Sequence, residues 1–503
     1  MRCSMRKKRL VWNTAFSLLN NIVTIICGFI VPRLILQVYG SSVNGLLSSI
    51  TQFLAAIAFL EMGVGSVVQS ALYTPLAKND TEGISEIVQS ANHFFQKLAY
   101  IMVGYVGVLV VVYPFLVKDE FDPLFVISLL LVMSVNYFAQ YYFGIVNQLL
   151  LNSAQQGYVS QIVQGGTLIL NTVVCSVLIL TGSSIVIVKF ITALIFLLRP
   201  IIQFLYVKKQ YKINYEIKIS GEPIKQKWNG LAQHIAAVVL DNTDTIVLTT
   251  LSTLSNVSVY AIYHLVIYGV KNLFLSLTNG INSLLGDMIA KKETKKLLET
   301  FGWVEWVLHS GVVILFGCVG VLVVPFVQVY TLGVKDANYI VPTFAVLITL
   351  AHAGHCLRLP YNIIVLAGGH YKQTQSCYIV AAILNIVISV ATVKLWGLIG
   401  VAIGTLAAMI YQTLWLAFYD SKNIIYWSLK NVIRQFGIDF ICVVPSICIC
   451  SQIHLAAVTY SAWMILAVKV ALVWCLVFFV VNMVFCRDKM YACLNKITYI
   501  LNR

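Results

Sequence analysis

The sequence predicts an all-α integral membrane protein with about fourteen transmembrane helices, two pseudo-symmetric six-helix lobes in a parallel repeat plus two C-terminal helices. Three observations predict it. Apolar stretches long enough to cross a bilayer recur from end to end, and the mean hydropathy is +0.87. Of the 503 residues 59% are hydrophobic and 11% charged, whereas a soluble domain carries about 25% charged residues. The basic residues cluster between apolar stretches, and those clusters alternate in size along the chain.

A helix needs about 20 apolar residues to cross the hydrocarbon core. On that criterion the first lobe spans at 11–38, 44–73, 94–117, 124–150, 158–181 and 184–207. The second spans at 228–252, 258–286, 304–330, 340–367, 374–394 and 398–419, and the last two helices lie at 436–453 and 461–486. The basic start MRCSMRKKRL leads into an apolar run too long for the h-region of a signal peptide, so an uncleaved first span is expected, with Met5 as an alternative start.

Charge tests the count. With the N-terminus in the cytoplasm, 24 of the 34 Lys and Arg fall on the cytoplasmic side: five in the N-terminal tail, Lys78, six in 208–227, four in 291–296, Lys372, three in 422–434 and four in the C-terminal tail. External loops hold only Lys118, Lys335 and Lys394. That asymmetry supports an even number of spans with both ends cytoplasmic. The domains follow: an N-terminal lobe at 1–207, a basic cytoplasmic linker at 208–227 (KKQYKINYEIKISGEPIKQK), a C-terminal lobe at 228–420, and two extra helices with a tail at 421–503. A shift of 214 residues lays Asn171 of LILNTVV on Asn385 of AILNIVI and Ser41-Ser42-Val43 on Ser255-Asn256-Val257. It keeps the membrane orientation, as a parallel repeat does.

Composition also excludes. The net charge of +15 is dispersed among loops rather than gathered in one patch, so nucleic acid is not an expected partner. The twelve cysteines form no CxxC pair, and the close pair Cys448 and Cys450 lies inside a span. They read as small buried hydrophobes rather than disulfides or a metal site, and no cofactor is expected. Gly40 and Gly45 have P-loop spacing, but Leu46 follows where Lys is required, and neither HExxH nor GxSxG occurs. The external loops are too short for a membrane polymerase or glycosyltransferase, so an enzyme is not expected.

The functional signal is charge inside the spans. Arg33, Lys97, Lys189, Arg199, Lys271, Arg358 and Lys469 all fall in apolar segments, where a cation costs about 2.5–3.5 kcal/mol at mid-bilayer. Lys97, Lys189, Arg199 and Lys469 suit snorkelling at span ends. Lys271, Arg358 and Arg33 remain as cavity candidates, and cations in a cavity suit an anionic cargo. In the eighth span Tyr260, His264, Tyr268 and Lys271 form a stripe of aromatic and cationic groups suited to sugar rings and phosphate; an interhelical salt bridge from Lys271 to Asp241 or Asp244 is the other reading. His352, His355 and Arg358 step by three along the tenth span. With no carboxylate beside them a metal is not expected, leaving pH-responsive imidazoles or ordinary interhelical histidines. Asp241 and Asp244 share a helix face in the seventh span, either as a proton or sodium relay or as two solvated groups. Pro32 before Arg33 predicts a bend in the first span. Glu61 lies in FLEMGVGSVVQS, where Gly63 and Gly65 permit close helix contact or a local break.

Two segments carry a family resemblance. FLEMGVGSVVQSALYTPLAKNDTEGISEIV, Phe59 to Val88, resembles the second span and following loop of polysaccharide flippases, with its acidic residue, Gly-x-Gly pair and "PLA-x-x-D" stretch. LDNTDTIVLTTLSTLSNVSVYAIYHLVIYGVKNLFLSLTNGINSLLGDMIAKKE, Leu240 to Glu293, is similar to the seventh and eighth spans of the same family in its "TD-x-IV", "Y-x-x-Y" and final basic loop. With the parallel-halved layout over nearly the whole chain, it resembles the Wzx-type flippases of O-antigen or capsule repeat units, in the multidrug/oligosaccharidyl-lipid/polysaccharide exporter superfamily. That resemblance implies an undecaprenyl-diphosphate-linked oligosaccharide moved from the inner to the outer leaflet of a bacterial cytoplasmic membrane. It also implies alternating access between two lobes, coupling to H+ or Na+ rather than ATP, and other polysaccharide assembly proteins as partners besides membrane lipids. Lys271, Arg358 and Arg33, with His264, Tyr260 and Tyr268, are the cavity positions; Asp241, Asp244, Glu61, His352 and His355 are the ion-coupling candidates. Related lipid II flippases carry an arginine in the second span, where this chain has Glu61 and none, which argues against lipid II. The alternatives are a multidrug or cation exporter of the same superfamily, a membrane polysaccharide polymerase, and a scaffold. A cation pump favours acids in its cavity, and the scaffold lacks a docking domain.

Overall fold

The computed structural model describes residues 2–61, 63–214 and 231–501, and among them every regular element is a helix. The expected linker 208–227 lies mostly outside the described residues, from 215 onward. Intact apolar helices satisfy all their backbone groups internally, which is the requirement for spanning lipid.

The first helix, α1 (Arg2–Ala55), covers the first span and the opening turns of the second, turning at Gly40 (φ 85°, ψ 177°). Pro32 is carried within the helix, and Gly40 is the residue of α1 that leaves helical dihedrals. After a 3-10 turn at Ala56–Glu61 the second span resumes as α2 (Val64–Lys78). Next come α3 (Thr81–Leu116), then the fourth span as α4 (Pro123–Ala139), a π turn (Gln140–Gly144) and α5 (Ile145–Ser153). The fifth to seventh spans are α6 (Gly157–Leu180), α7 (Ile185–Gln210) and α8 (Leu231–Leu251). They are followed by α9 (Leu254–Ala290) and α10 (Thr294–Tyr330). The tenth span is split into α11 (Pro342–Leu357) and α12 (Leu359–Ala367). The remainder are α13 (Tyr371–Trp396), α14 (Leu398–Asn423), α15 (Leu429–Cys450), α16 (Tyr460–Phe485) and a short α17 (Arg487–Leu501).

Eleven helical stretches among the described residues are long and apolar enough to cross a membrane, making this a multi-pass membrane protein. The difference from fourteen has physical causes. The first two spans run together through Gly40, α8 is diluted by Gln233, His234, Asp241, Asn242 and Asp244, and the tenth span is cut at Arg358.

The chain divides into two compact units, Met1–Ser258 and Val259–Arg503. In the first, α1 packs along α6 through polar bonds. Asn13 Nδ2 donates to the Gln155 carbonyl (3.1 Å) and its Oδ1 accepts from the Tyr158 amide (2.7 Å), while Asn20 Nδ2 donates to Gln161 Oε1 (2.8 Å). The α1 turn also meets the start of α9: Asn44 Nδ2 donates to Ser258 Oγ at 2.7 Å, and Ser42 and Ser255 hydroxyls lie 3.3 Å apart. Asn44 and Ser258 are related by the same 214-residue shift that relates the halves in sequence.

In the second unit α14 packs against α13 and α11, while α15 and α16 pack on α10. That second group closes on Trp474, 1% exposed, with Val313, Ile438, Cys442, Leu466 and Val470 around it. Asn482 Oδ1 accepts from Trp306 Nε1 at 2.9 Å. The Trp474 indole lies against Gly317 of α10, and a Cβ added there would collide with its ring. Gly317→Ala is therefore expected to lower stability by about 1–3 kcal/mol, the usual cost of overpacking, read as a lower melting temperature in detergent. A melt equal to wild type would mean that the indole moves aside freely.

Candidate functional site

The second unit gathers most of the expected cavity residues. On α9 the rings of Tyr260, His264 and Tyr268 stack at four-residue spacing, with centroids 5.4 and 4.9 Å apart and interplanar angles of 19° and 22°. Lys271, one turn further, holds its ammonium 5.3 Å from the Tyr268 ring centre. His264 also meets His352 of α11 edge-on at 5.4 Å, so the α9 stripe and the α11 stripe are in contact. Further along the tenth span, the Arg358 guanidinium reaches back to the His355 ring, with Nη2 3.3 Å from Nδ1. Arg358 donates through Nη1 to the Gln412 side-chain amide of α14 and lies 5.9 Å from the Tyr378 ring.

Lys271 and Arg358 are the buried ones among the intramembrane cations, at 3% and 6% exposure. Lys97 and Lys469 are exposed, and Arg33 and Lys189 are half-buried. Arg199 does more than snorkel: its Nε donates to Thr167 Oγ1 at 2.7 Å and its guanidinium covers the Phe196 ring.

In the first unit the two α8 acids are separated by their environments: Asp241 is exposed and Asp244 is 2% exposed. Glu61 ends the 3-10 turn before Gly63, whose φ of 70° breaks the second span. Its Oε1 accepts from the Tyr141 hydroxyl at 2.6 Å, and Tyr141 lies in the π turn of the fourth span. The two interruptions therefore face each other. Beside them is a cavity of about 430 Å³, whose mostly apolar wall, with Ala55, Ala58, Ile145 and Leu149, carries the polar groups of Glu61, Gln69, Gln140, Tyr141, Gln148 and Asn152.

A third polar cluster escaped the sequence analysis. Glu305 of α10, 3% exposed, accepts from Tyr361 Oη (2.9 Å) and from Trp427 Nε1 (3.1 Å). One turn along, His309 Nδ1 lies 2.6 Å from Asp439 Oδ2 of α15, and Asp439 Oδ1 accepts from Gln435 Nε2 at 3.0 Å. At the edge of this cluster Lys489 of α17 donates to the Gly302 carbonyl at 2.7 Å, and burial pulls its ammonium below the usual lysine value. The signal was present: a Glu and a His four apart inside the ninth span share a face, and an Asp in the thirteenth needs a partner. Among the described residues no group of three or more His, Cys, Asp or Glu could hold a metal.

No family model matches the sequence, and no curated protein does. Solved structures do match in fold. A lipid II flippase, MurJ in an inward closed conformation, superposes with a TM-score of 0.68 at 14% identity, covering 95% of this chain and 99% of that one. A mutant of the Vibrio cholerae MATE transporter VcmN matches with a TM-score of 0.59 at 12% identity, over 84% of this chain and 99% of that one. A eukaryotic MATE transporter, AtDTX14, matches with a TM-score of 0.59 at 12% identity, over 85% of this chain and 98% of that one. The chain has the fold of this transporter and flippase group.

The His309–Asp439 contact joins α10 to α15, and Asp439→Leu would leave His309 and Gln435 without their acceptor. Stability is expected to fall by about 1–3 kcal/mol, seen as a lower melting temperature that His309→Leu in the same chain partly restores. Additive losses in the double variant would show that the two side chains act separately.

Proposed function

We propose that the protein is a flippase that carries an undecaprenyl-diphosphate-linked oligosaccharide repeat unit from the inner to the outer leaflet for polysaccharide biosynthesis. The observation that carries this reading is the buried pair Lys271 and Arg358, set among Tyr260, His264, Tyr268, His352 and His355 in one unit. A lysine and an arginine buried in one unit are the side chains that recognise phosphate, and a diphosphate cargo suits them. Aromatic faces beside them suit the sugar that follows. The fold likeness to a lipid II flippase supports a lipid-linked cargo. Arg33, half-buried in α1, is a further candidate for the anion.

In this reading the lipid tails stay in the bilayer while the diphosphate and sugars cross through the protein. Lobes at 1–207 and 228–420 alternate in access, driven by H+ or Na+ acting through Asp241 and Asp244, with His352 and His355 as proton-responsive neighbours. The setting is a bacterial cytoplasmic membrane with both termini in the cytoplasm, in company with other polysaccharide assembly proteins.

A second reading, an exporter of drugs or cations, has the fold likeness to MATE transporters in its favour. The excess of Lys and Arg inside the spans weighs against it, because a cation pump favours acids along its path. A polymerase finds no support in either unit.

Reconstitution with labelled undecaprenyl-diphosphate oligosaccharide, with and without pH and sodium gradients, tests the proposal directly: leaflet transfer is expected, faster with one of the gradients. Efflux of a cationic dye without lipid transfer would decide for the exporter. In cells Lys271→Ala is expected to abolish surface polysaccharide while the protein remains in the membrane, and normal polymer output would remove Lys271 from its assigned role.

A further inference from the structure

We propose that the cavity of the first unit is a saccharide subsite that takes a neutral or N-acetylated sugar. It rests on the flippase reading for its natural ligand, the sugar of the lipid-linked cargo, but its chemistry is argued from the cavity alone.

The cavity is built by two helix defects. Irregular backbone inside a membrane is tolerated where it is buried in protein or lines a cavity, and interrupted helices recur at transporter binding sites. Here the 3-10 turn Ala56–Glu61 and the π turn Gln140–Gly144 both line one space. The π turn is closed by the Ile145 amide donating to the Gln140 carbonyl, five residues back, which redirects the side chains of 140 and 141 relative to a regular helix. Gly144 leaves room for this: a Cβ there would come 2.7 Å from Gln140 Oε1, so the glutamine amide folds back over the turn at the cavity wall. Gln140 Nε2 donates to Gln148 Oε1 at 3.3 Å, and Tyr141 is fixed by Glu61 at 2.6 Å.

The lining selects the ligand. Four carboxamides (Gln69, Gln140, Gln148, Asn152) each offer both donors and acceptors, which suits hydroxyls that do the same. Tyr137 and Tyr141 supply aromatic surface, and Glu61 supplies an acceptor for a hydroxyl or an acetamido N–H. A volume of about 430 Å³ is that of a small-molecule site. The same carboxylate, with no cation among the described lining residues, repels an acidic sugar.

The experiment uses the full chain in nanodiscs. Native mass spectrometry compares undecaprenyl diphosphate bearing one N-acetylglucosamine with bare undecaprenyl diphosphate, for wild type and for Gln148→Leu and Gln69→Leu, each checked for an unchanged melting temperature. In parallel, saturation-transfer NMR tests free N-acetylglucosamine and glucuronate. Wild type is expected to prefer the sugar-bearing lipid about tenfold, and either variant that folds is expected to lose that preference while binding the bare lipid as before. N-Acetylglucosamine is expected to give a transfer signal that the variants lose, and glucuronate none. A preference for the sugar that persists in the variants overturns the subsite and leaves the flippase reading standing. Variant-sensitive binding of free N-acetylglucosamine with no binding of either lipid keeps the subsite and sinks the flippase reading. Sodium-dependent thermal protection that Glu61→Gln removes, with no effect of sugar, would make this a cation site and overturn the proposal.

Discussion

Within hydrocarbon every backbone N–H and C=O has to find a partner inside the protein, because each unsatisfied group costs several kcal/mol. The architecture follows from that constraint. It makes every regular element among the described residues a helix, and it makes each departure from α geometry informative. The π turn at Gln140–Gly144 keeps a hydrogen bond by reaching one residue further back. At the α11–α12 junction the ladder survives on both sides of Arg358, whose amide donates to the Gly354 carbonyl at 3.1 Å while its carbonyl accepts from the Asn362 amide at 3.0 Å. In the 3-10 turn that ends at Glu61 a side chain meets the backbone, with His234 Nε2 3.2 Å from the Ala58 carbonyl.

Charge follows the same demand for partners. Arg358 is surrounded by a side-chain amide, an imidazole and an aromatic face, groups that hold a guanidinium in place without cancelling its charge. In the Glu305, His309 and Asp439 cluster, by contrast, acids meet donors directly and the polarity is taken up internally. The contrast separates a guanidinium held by neutral groups from a cluster in which acids tie helices together.

Much of this was legible in the sequence. The helices follow from apolar runs and from loops punctuated by lysines, because length and hydropathy are nearly sufficient to specify a spanning helix. The ring stack on α9 follows from four-residue spacing, and the break near Glu61 from the glycines beside it. Other features depend on partners far away in the chain. Nothing local in QYYFG distinguishes a π turn from a regular one, and the cavity exists because that turn meets another defect 80 residues away. Asp241 and Asp244 look equivalent in sequence, yet only the packing of α8 buries one and exposes the other. Gly40, ordinary in the sequence, carries the turn of α1.

The split at Arg358 also bears on how the chain is made. The two pieces, 16 and 9 residues long, share a ladder through Arg358 and together are long enough to cross, but the arginine between them costs about 2.5–3.5 kcal/mol at mid-bilayer. The amide that receives that arginine, Gln412, belongs to α14 and is synthesised 54 residues later. During translation the tenth span therefore enters the bilayer before its counterpart exists. Until the twelfth span emerges Arg358 is without the side-chain amide that receives it, so the native surroundings of this arginine are completed only once α14 has been made.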